Sequence, residues 1–303
     1  MSARHEGAPV QMPAESTVGA LVGELAMILS AAGLDNPGRG ATDIITALRE
    51  VPRFWTSVNA HVVVTAAERE SARAAARRLA AGAPFAYAVG TAAFRKLTLA
   101  VDERVLIPRP ETELIVDIVL ELTKGRQGGT AIDVGTGSGA IALSLAAEGS
   151  FDRVLGGDLS SDAIAVARAN ADQLPASSRT RVEFREGSLL APFAGEQADV
   201  IVSNPPYLAA DDVADLPALV RDWEPAIALL SGSDGMAAIR RIIRDAQPVL
   251  KPGAWLVMEV DARRASWVVE ALSMYDSYVE IGVRLDLTGR ERFVVARRKG
   301  EKG

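Results

Sequence analysis

The chain has 303 residues, 49% of them apolar, a formal net charge of -6, two histidines and no cysteine. That length and apolar content suggest a sizeable core, arranged as one large domain and a smaller one. Without cysteine there are no disulfides, thiolate nucleophiles or cysteine-bound zinc. His5 and His61 support neither a histidine metal cluster nor a Ser-His-Asp triad, so no metal is expected, and the acidic balance argues against stable binding of long nucleic acid through its phosphates.

Residues 1–16 mix Gly, Pro, Ser and charge without periodicity and are expected to form a disordered tail. Apolar residues at helical spacing from Val18 to Ala32, stopped by Gly33, predict a first helix. A second covers about Ala41 to Val51. A third opens with Thr65 and Glu68 at capping-box spacing and ends at Gly82, so residues 17–83 read as a small helical domain. From Pro84, the strand-like pieces Phe85 to Val89 and Leu97 to Val101 predict a β-hairpin linker over 84–110.

From residue 111 to 303 the pattern alternates. Helix 111–124, strand 130–134, helix 139–148, strand 153–157, helix 161–173, strand 181–185 and strand 198–203 are followed by helix 234–249, strand 254–260, helix 264–274 and strands 278–286 and 291–297. Such alternation predicts an α/β fold, a doubly wound, mostly parallel seven-stranded sheet. The last two strands, joined at Gly289-Arg290, predict an antiparallel C-terminal edge. The longest apolar runs, Val116 to Leu122 and Ala254 to Val260, are too short to span a bilayer, and the N-terminus has no signal core, so a cytoplasmic protein is expected. The basic end Arg297-Arg298-Lys299 with Lys302 reads as a solvated tail.

Two motifs carry chemistry. The buried strand Ala131-Ile132-Asp133-Val134 runs into Gly135-Thr136-Gly137-Ser138-Gly139, where glycines let the backbone approach a ligand closely; Asp158 ends the next strand, where a carboxylate can accept both hydroxyl protons of a ribose. Gly135, Gly137 and Ala140 also satisfy the dinucleotide pattern, so this block points to a nucleotide-type ligand without choosing it. Further on, the strand Val200-Ile201-Val202 breaks into Ser203-Asn204-Pro205-Pro206-Tyr207. Two prolines fix the backbone there. The Asn204 side-chain oxygen and the Pro205 carbonyl can accept the two hydrogens of a planar nitrogen, and Tyr207 can pack on the face of its π-system. Together the motifs suggest a methyl donor beside a planar NH2 group.

From about Pro84 onward the chain resembles the PrmC/HemK family, the glutamine methyltransferases of peptide-chain release factors. Separate blocks carry the resemblance: Val105-Leu-Ile-Pro-Arg-Pro-Glu-Thr-Glu113, Asp133 to Gly139, Gly157-Asp158-Leu-Ser160, Val202 to Tyr207, Arg221-Asp-Trp-Glu-Pro225 and Leu287-Thr-Gly-Arg290. It implies a Rossmann-like methyltransferase fold that takes S-adenosylmethionine and a glutamine in the Gly-Gly-Gln motif of release factors. On the matching positions, Gly135, Thr136, Gly137, Ser138, Gly139, Asp158, Leu189 and Asn204 would hold the cofactor. Asn204, Pro205, Pro206 and Tyr207 would hold the glutamine, with Arg109 and Glu111 near the pocket to help close it. The N-terminal helical domain, which matches only in character, would engage the protein partner.

The sequence departs from the family pattern twice more. Ser188 stands where the family usually has an Asp that meets the adenine amino group, and Glu259-Val260-Asp261 replaces Glu-Ile-Gly. Two other enzymatic readings are a ribosomal-protein glutamine methyltransferase and an adenine-amino methyltransferase acting on RNA or DNA. A third, of another class, is a binding protein that keeps the cofactor pocket without turnover.

Overall fold

The computed structural model describes residues 16–174, 180–209, 212 and 216–300. The expected tail, apart from Ser16, and Lys302 lie outside them. The chain divides into two compact units, with the boundary between Val89 and Gly90.

The first unit is helical: α1 Val18–Ala31, α2 Pro37–Arg49, α3 Trp55–Val58, α4 Ala66–Ala80 and α5 Phe85–Val89. The predicted capping box forms, with Thr65 N–H donating to Glu68 at 2.7 Å and Glu68 N–H to the Thr65 hydroxyl at 3.1 Å. Leu21, Leu25 and Leu29 of α1 pack on Ile44 and Ile45 of α2 and on Ala72 and Ala76 of α4. Phe85–Val89, expected as a strand, is instead a short helix. Five consecutive residues that are all apolar or aromatic carry no period, but Pro84 before them and Gly90 after them, with φ +80°, are the start and stop residues of a helix.

The second unit opens with the hairpin, whose strands are β1 Thr91–Phe94 and β2 Leu97–Ala100. It is tied down by side chains of this unit. Arg95 at its turn pairs with Glu148 at 2.7 Å and Asp117 at 2.8 Å, and Asn170 holds both the N–H and the carbonyl of Ala100. There follow α6 Glu113–Leu122, β3 Thr130–Val134, α7 Ala140–Glu148, β4 Arg153–Asp158, α8 Ser161–Ala171, β5 Arg181–Glu186, β6 Ala198–Ser203 and α9 Ala218–Arg221. The unit ends with α10 Ala237–Ala246, β7 Leu250–Glu259, α11 Ala265–Ser273, β8 Tyr278–Leu285 and β9 Glu291–Arg298.

Seven strands form one sheet in the order β5-β4-β3-β6-β7-β9-β8. Pairing is parallel except that β9 lies antiparallel between β7 and β8. Alternation along each strand feeds two apolar layers. Ile132, Ile201 and Leu256 join Ile239 and Ile242 of α10 on one face, while Ala131, Val200 and Val257 join Ile115 of α6 and Leu143 of α7 on the other. From β3 the chain winds outward through β4 and β5, then returns to β6 on the opposite side of β3. The carboxyl ends of β3 and β6 therefore flank a topological switch point, where open α/β sheets bind ligands. No helix among the described residues is long and apolar enough to cross a membrane.

Candidate active site

Both chemical motifs lie at this switch point. After β3 the chain turns sharply through Gly135 and Gly137, with φ +76° and +53°, conformations that side chains rarely adopt. The N–H groups of Gly135 and Thr136 donate to the Gly157 carbonyl at 2.8 and 2.9 Å, which locks the turn to the end of β4. Asp158, the last residue of β4, accepts from Gly137 N–H and from Ser160 N–H, both at 3.0 Å, one on each carboxylate oxygen. Beneath the turn, Asp133 is fully buried and accepts from the Thr136 hydroxyl at 2.7 Å and from Ala142 N–H at 3.2 Å. Burial pushes its pKa up to about 7, and the charge on Asp158 acts in the same direction.

Gly135, Gly137, Asp158, Leu189 and Asn204 line one cleft. A side chain at Gly137 would project into open space, and Asp158 keeps a free lone pair on each oxygen for a ribose diol. Leu159 and Leu189 give the cleft apolar walls, and Leu189 is held at φ +53°, a strained conformation of the kind that collects at ligand sites. These features fit the nucleoside of S-adenosylmethionine. Ser188 also lines the cleft, and its hydroxyl accepts from Arg241 at 3.3 Å, so that end offers a neutral hydroxyl in place of a carboxylate.

A second cleft adjoins the first and contains Arg109, Pro205 and Tyr207; Leu106, Asn204, Pro206 and Ala228 line both. The loop after β6 is thus the wall between two spaces. Several contacts hold it. The Ser203 hydroxyl donates to the Val134 carbonyl at 2.7 Å, and the Asn204 amide donates to the Thr112 hydroxyl at 3.2 Å. Leu208 exchanges backbone bonds with Leu229 and Ser231. Arg264, itself buried, donates to Asp212 at 2.7 Å and to the Asp234 carbonyl at 3.0 Å. Burial raises the Tyr207 phenol to about 12, with the charge on Glu259 adding to the effect, so it stays protonated.

Arg109 donates from one guanidinium nitrogen to both oxygens of Glu224 at 2.7 Å. The Glu224 side chain is 1% exposed, and burial raises its pKa against the opposing influence of Arg109. This joins the Pro-Arg-Pro-Glu-Thr-Glu and Arg-Asp-Trp-Glu-Pro blocks, whose pairing was not legible from either alone. Glu259, at the end of β7, is 2% exposed; burial pushes its pKa up to about 7, and the Thr112 hydroxyl acts against that rise.

Not every expected residue faces a cleft. Thr136, Ser138 and Gly139 build the turn: the first two are buried, and Gly139 precedes α7 where an added side chain would press on Leu143 and Phe184. Glu111 is exposed and lines neither cleft, while its neighbour Thr112 is the residue turned inward. Residues 110–112 form a 3-10 turn, in which successive residues point about 120° apart, so the two neighbours look to different sides. Asp261, where the family reads Gly, accepts from Arg263 N–H at 2.8 Å and caps the short turn Ala262–Arg264. Thr112, Glu224 and Glu259 were missed; all three lie in or beside blocks already singled out, which was the available signal.

Residues 112–220 match the family described as Methyltransferase small domain. The release factor glutamine methyltransferase of Moorella thermoacetica is 36% identical over 288 residues, 92% of this chain and 98% of its own length. That of Bacillus subtilis is 39% identical over 221 residues, covering 71% of this chain and 75% of its own. That of Deinococcus radiodurans is 42% identical over 223 residues, with 74% and 77% covered. Among solved structures, the hMettl16 catalytic domain in complex with MAT2A 3'UTR hairpin 6 has the same fold, with a TM-score of 0.54 at 16% identity over 78% of this chain and 83% of that one.

Proposed function

The chain belongs to the family of release factor glutamine methyltransferases, and from that premise we propose that it transfers a methyl group from S-adenosylmethionine to the side-chain amide nitrogen of the glutamine in the Gly-Gly-Gln motif of release factors. One observation carries this reading: Asn204 and Pro206 line both clefts, so whatever Asn204 holds on one side meets what the glycine turn and Asp158 hold on the other.

When bound, the cofactor supplies an electrophilic methyl group on a sulfonium. The residues of this chain position the reactants. Gly135, Gly137, Asp158 and Leu189 seat the nucleoside. The Asn204 side-chain oxygen and the Pro205 carbonyl accept the two hydrogens of the glutamine NH2 and turn its face toward the neighbouring cleft. Tyr207, kept protonated by burial, packs on the amide plane. Acceptor dipoles at these points also favour the more positive nitrogen of the transition state. Near-attack positioning supplies roughly 7–11 kcal/mol, against about 0.5–1.5 kcal/mol net for one hydrogen bond, so positioning is the main source of rate. No base is required of the protein, since the proton can leave to water after transfer. The helical unit ending at Val89 is the part that engages the release factor, and the reaction is one of the cytoplasm.

The test is transfer of labelled methyl to purified release factors with and without that glutamine. Asn204→Ala should lower kcat by roughly 100-fold while cofactor affinity holds. Labelling that ignores the glutamine, or equal losses of rate and cofactor affinity in the variant, would overturn the assignment.

A further inference from the structure

Asn204 can receive an NH2 group only with its oxygen. Its side chain presents an acceptor at one end and a double donor at the other, and the turned-over amide would aim hydrogens at hydrogens. Something must fix which end faces the substrate. The structure gives Asn204 a partner for the purpose: its Nδ2 donates to the buried Thr112 hydroxyl at 3.2 Å, and that hydroxyl also favours the charged form of the Glu259 carboxyl.

A hydroxyl has one hydrogen. While Glu259 is ionised it can only accept, so the Thr112 hydrogen goes to Glu259 and the Thr112 oxygen accepts from Asn204. The Asn204 oxygen is then left for the substrate. A protonated Glu259 can donate to Thr112 instead, which frees the Thr112 hydrogen for the Asn204 oxygen, and the amide turns over.

We propose that Glu259, acting through Thr112, is the positioning residue that sets which end of the Asn204 amide meets the substrate. This rests on the reading of Asn204 as the residue that holds the glutamine. Two further observations support it. Glu259 is 2% exposed, and its Oε2 is buried with no hydrogen-bond partner among the described residues, an arrangement that costs stability. Its surroundings also hold both protonation states within reach. Burial raises its pKa to about 7, and the charges of Arg292 on β9 and of Glu111 and Arg109 before α6 act on it, with Tyr207 and Asp261 in the same charged cluster.

The test compares the full-length wild type, Thr112→Val, Thr112→Ser, Glu259→Gln and Asn204→Ala on a release factor. The readouts are kcat and KM across neutral pH, cofactor affinity by calorimetry, and a melting curve for each protein. Thr112→Val should lower kcat roughly tenfold with cofactor affinity held, and Thr112→Ser should recover most of that loss. Wild-type kcat should fall as pH drops through about 7, and Glu259→Gln, which keeps a donor at that position at every pH, should be slow and lack this limb. The inference is overturned if Thr112→Val turns over at the wild-type rate, if Thr112→Ser is as slow as Thr112→Val, or if Glu259→Gln keeps the acid limb. A wild-type kcat flat from about pH 6 to about pH 8 overturns it without any substitution. Should Asn204→Ala keep wild-type kcat, the reading of Asn204 itself fails; an inactive Asn204→Ala beside a fully active Thr112→Val sinks only the role of Glu259.

Discussion

Replacing Gly235 by Ala tests whether the loop after β6 is held from behind. Gly235 sits at φ +73°, where an L residue costs about 1–2 kcal/mol. An added Cβ would lie 2.3 Å from the Tyr207 carbonyl oxygen and 2.8 Å from Arg264 Nε. Neither neighbour can yield freely. The next residue, Leu208, is bonded on both sides, to Leu229 and Ser231 at 3.0 and 2.9 Å, and Arg264 is held by Asp212 and the Asp234 carbonyl. The carbonyl must therefore retreat by about 1 Å to reach ordinary contact, and overpacking of this kind costs about 1–3 kcal/mol. A total near 3 kcal/mol should lower the melting temperature of a unit this size by roughly 6–12 °C. Because the displaced atom belongs to Tyr207, kcat should drop as well, by up to about 100-fold for a 1 Å error in placement. Cofactor affinity, which depends on the glycine turn and Asp158, should hold. Calorimetry, steady-state kinetics and cofactor titration measure the three quantities. A variant that melts and turns over like the wild type would refute both the clash and the dependence of turnover on the placement of Tyr207.

Two further outcomes follow from the buried carboxyl groups. Arg109→Ala leaves Glu224 buried without its cation, and since the arginine is 33% exposed the usual cost of a broken buried pair is reduced to about 1–3 kcal/mol, readable in urea denaturation. Adding Glu224→Gln should recover part of that loss; no recovery would mean the pair is not what holds the segment. Glu259 has a folded-state pKa of about 7, above that of an unfolded glutamate, so its penalty is absent at acid pH, grows as pH rises through the unfolded value and is complete above about 7. Glu259→Gln should therefore be more stable than wild type at alkaline pH and no more stable in acid, while being the slower enzyme. Equal stability at all pH values would contradict the burial argument.

Much of the fold was legible because it is encoded locally. Strands 130–134 and 198–203 were read to the residue, since a buried run ends at a glycine turn in one and at two prolines in the other. Phe85–Val89 was misread because a short run that is apolar throughout fits either period, and the flanking Pro84 and Gly90 were the better guide. Strand β7 starts at Leu250, earlier than expected, because a register shift opposite Ala198 and Val200 lets Pro252 and Gly253 sit inside it. At the site, Gly135, Asp158, Asn204 and Tyr207 could be found because their use depends on a turn or a strand end within a few residues.

Thr112, Glu224 and Glu259 could not be found that way. Asn204 and Thr112 are 92 positions apart, and Arg109 and Glu224 are 115 apart, so the sequence contains both members of each pair without the meeting. Their encounter depends on the strand order, on β6 returning beside β3 and on β7 bringing Glu259 beside them, which no local pattern states. By itself the sequence determined the elements, the family and the residues whose backbone conformation is their function. Only the tertiary structure decided that Thr112 and not Glu111 faces inward, and that a buried carboxyl stands behind the amide of Asn204. Hydrogen bonds between side chains act over about 3 Å, and distance along the chain carries no information about them.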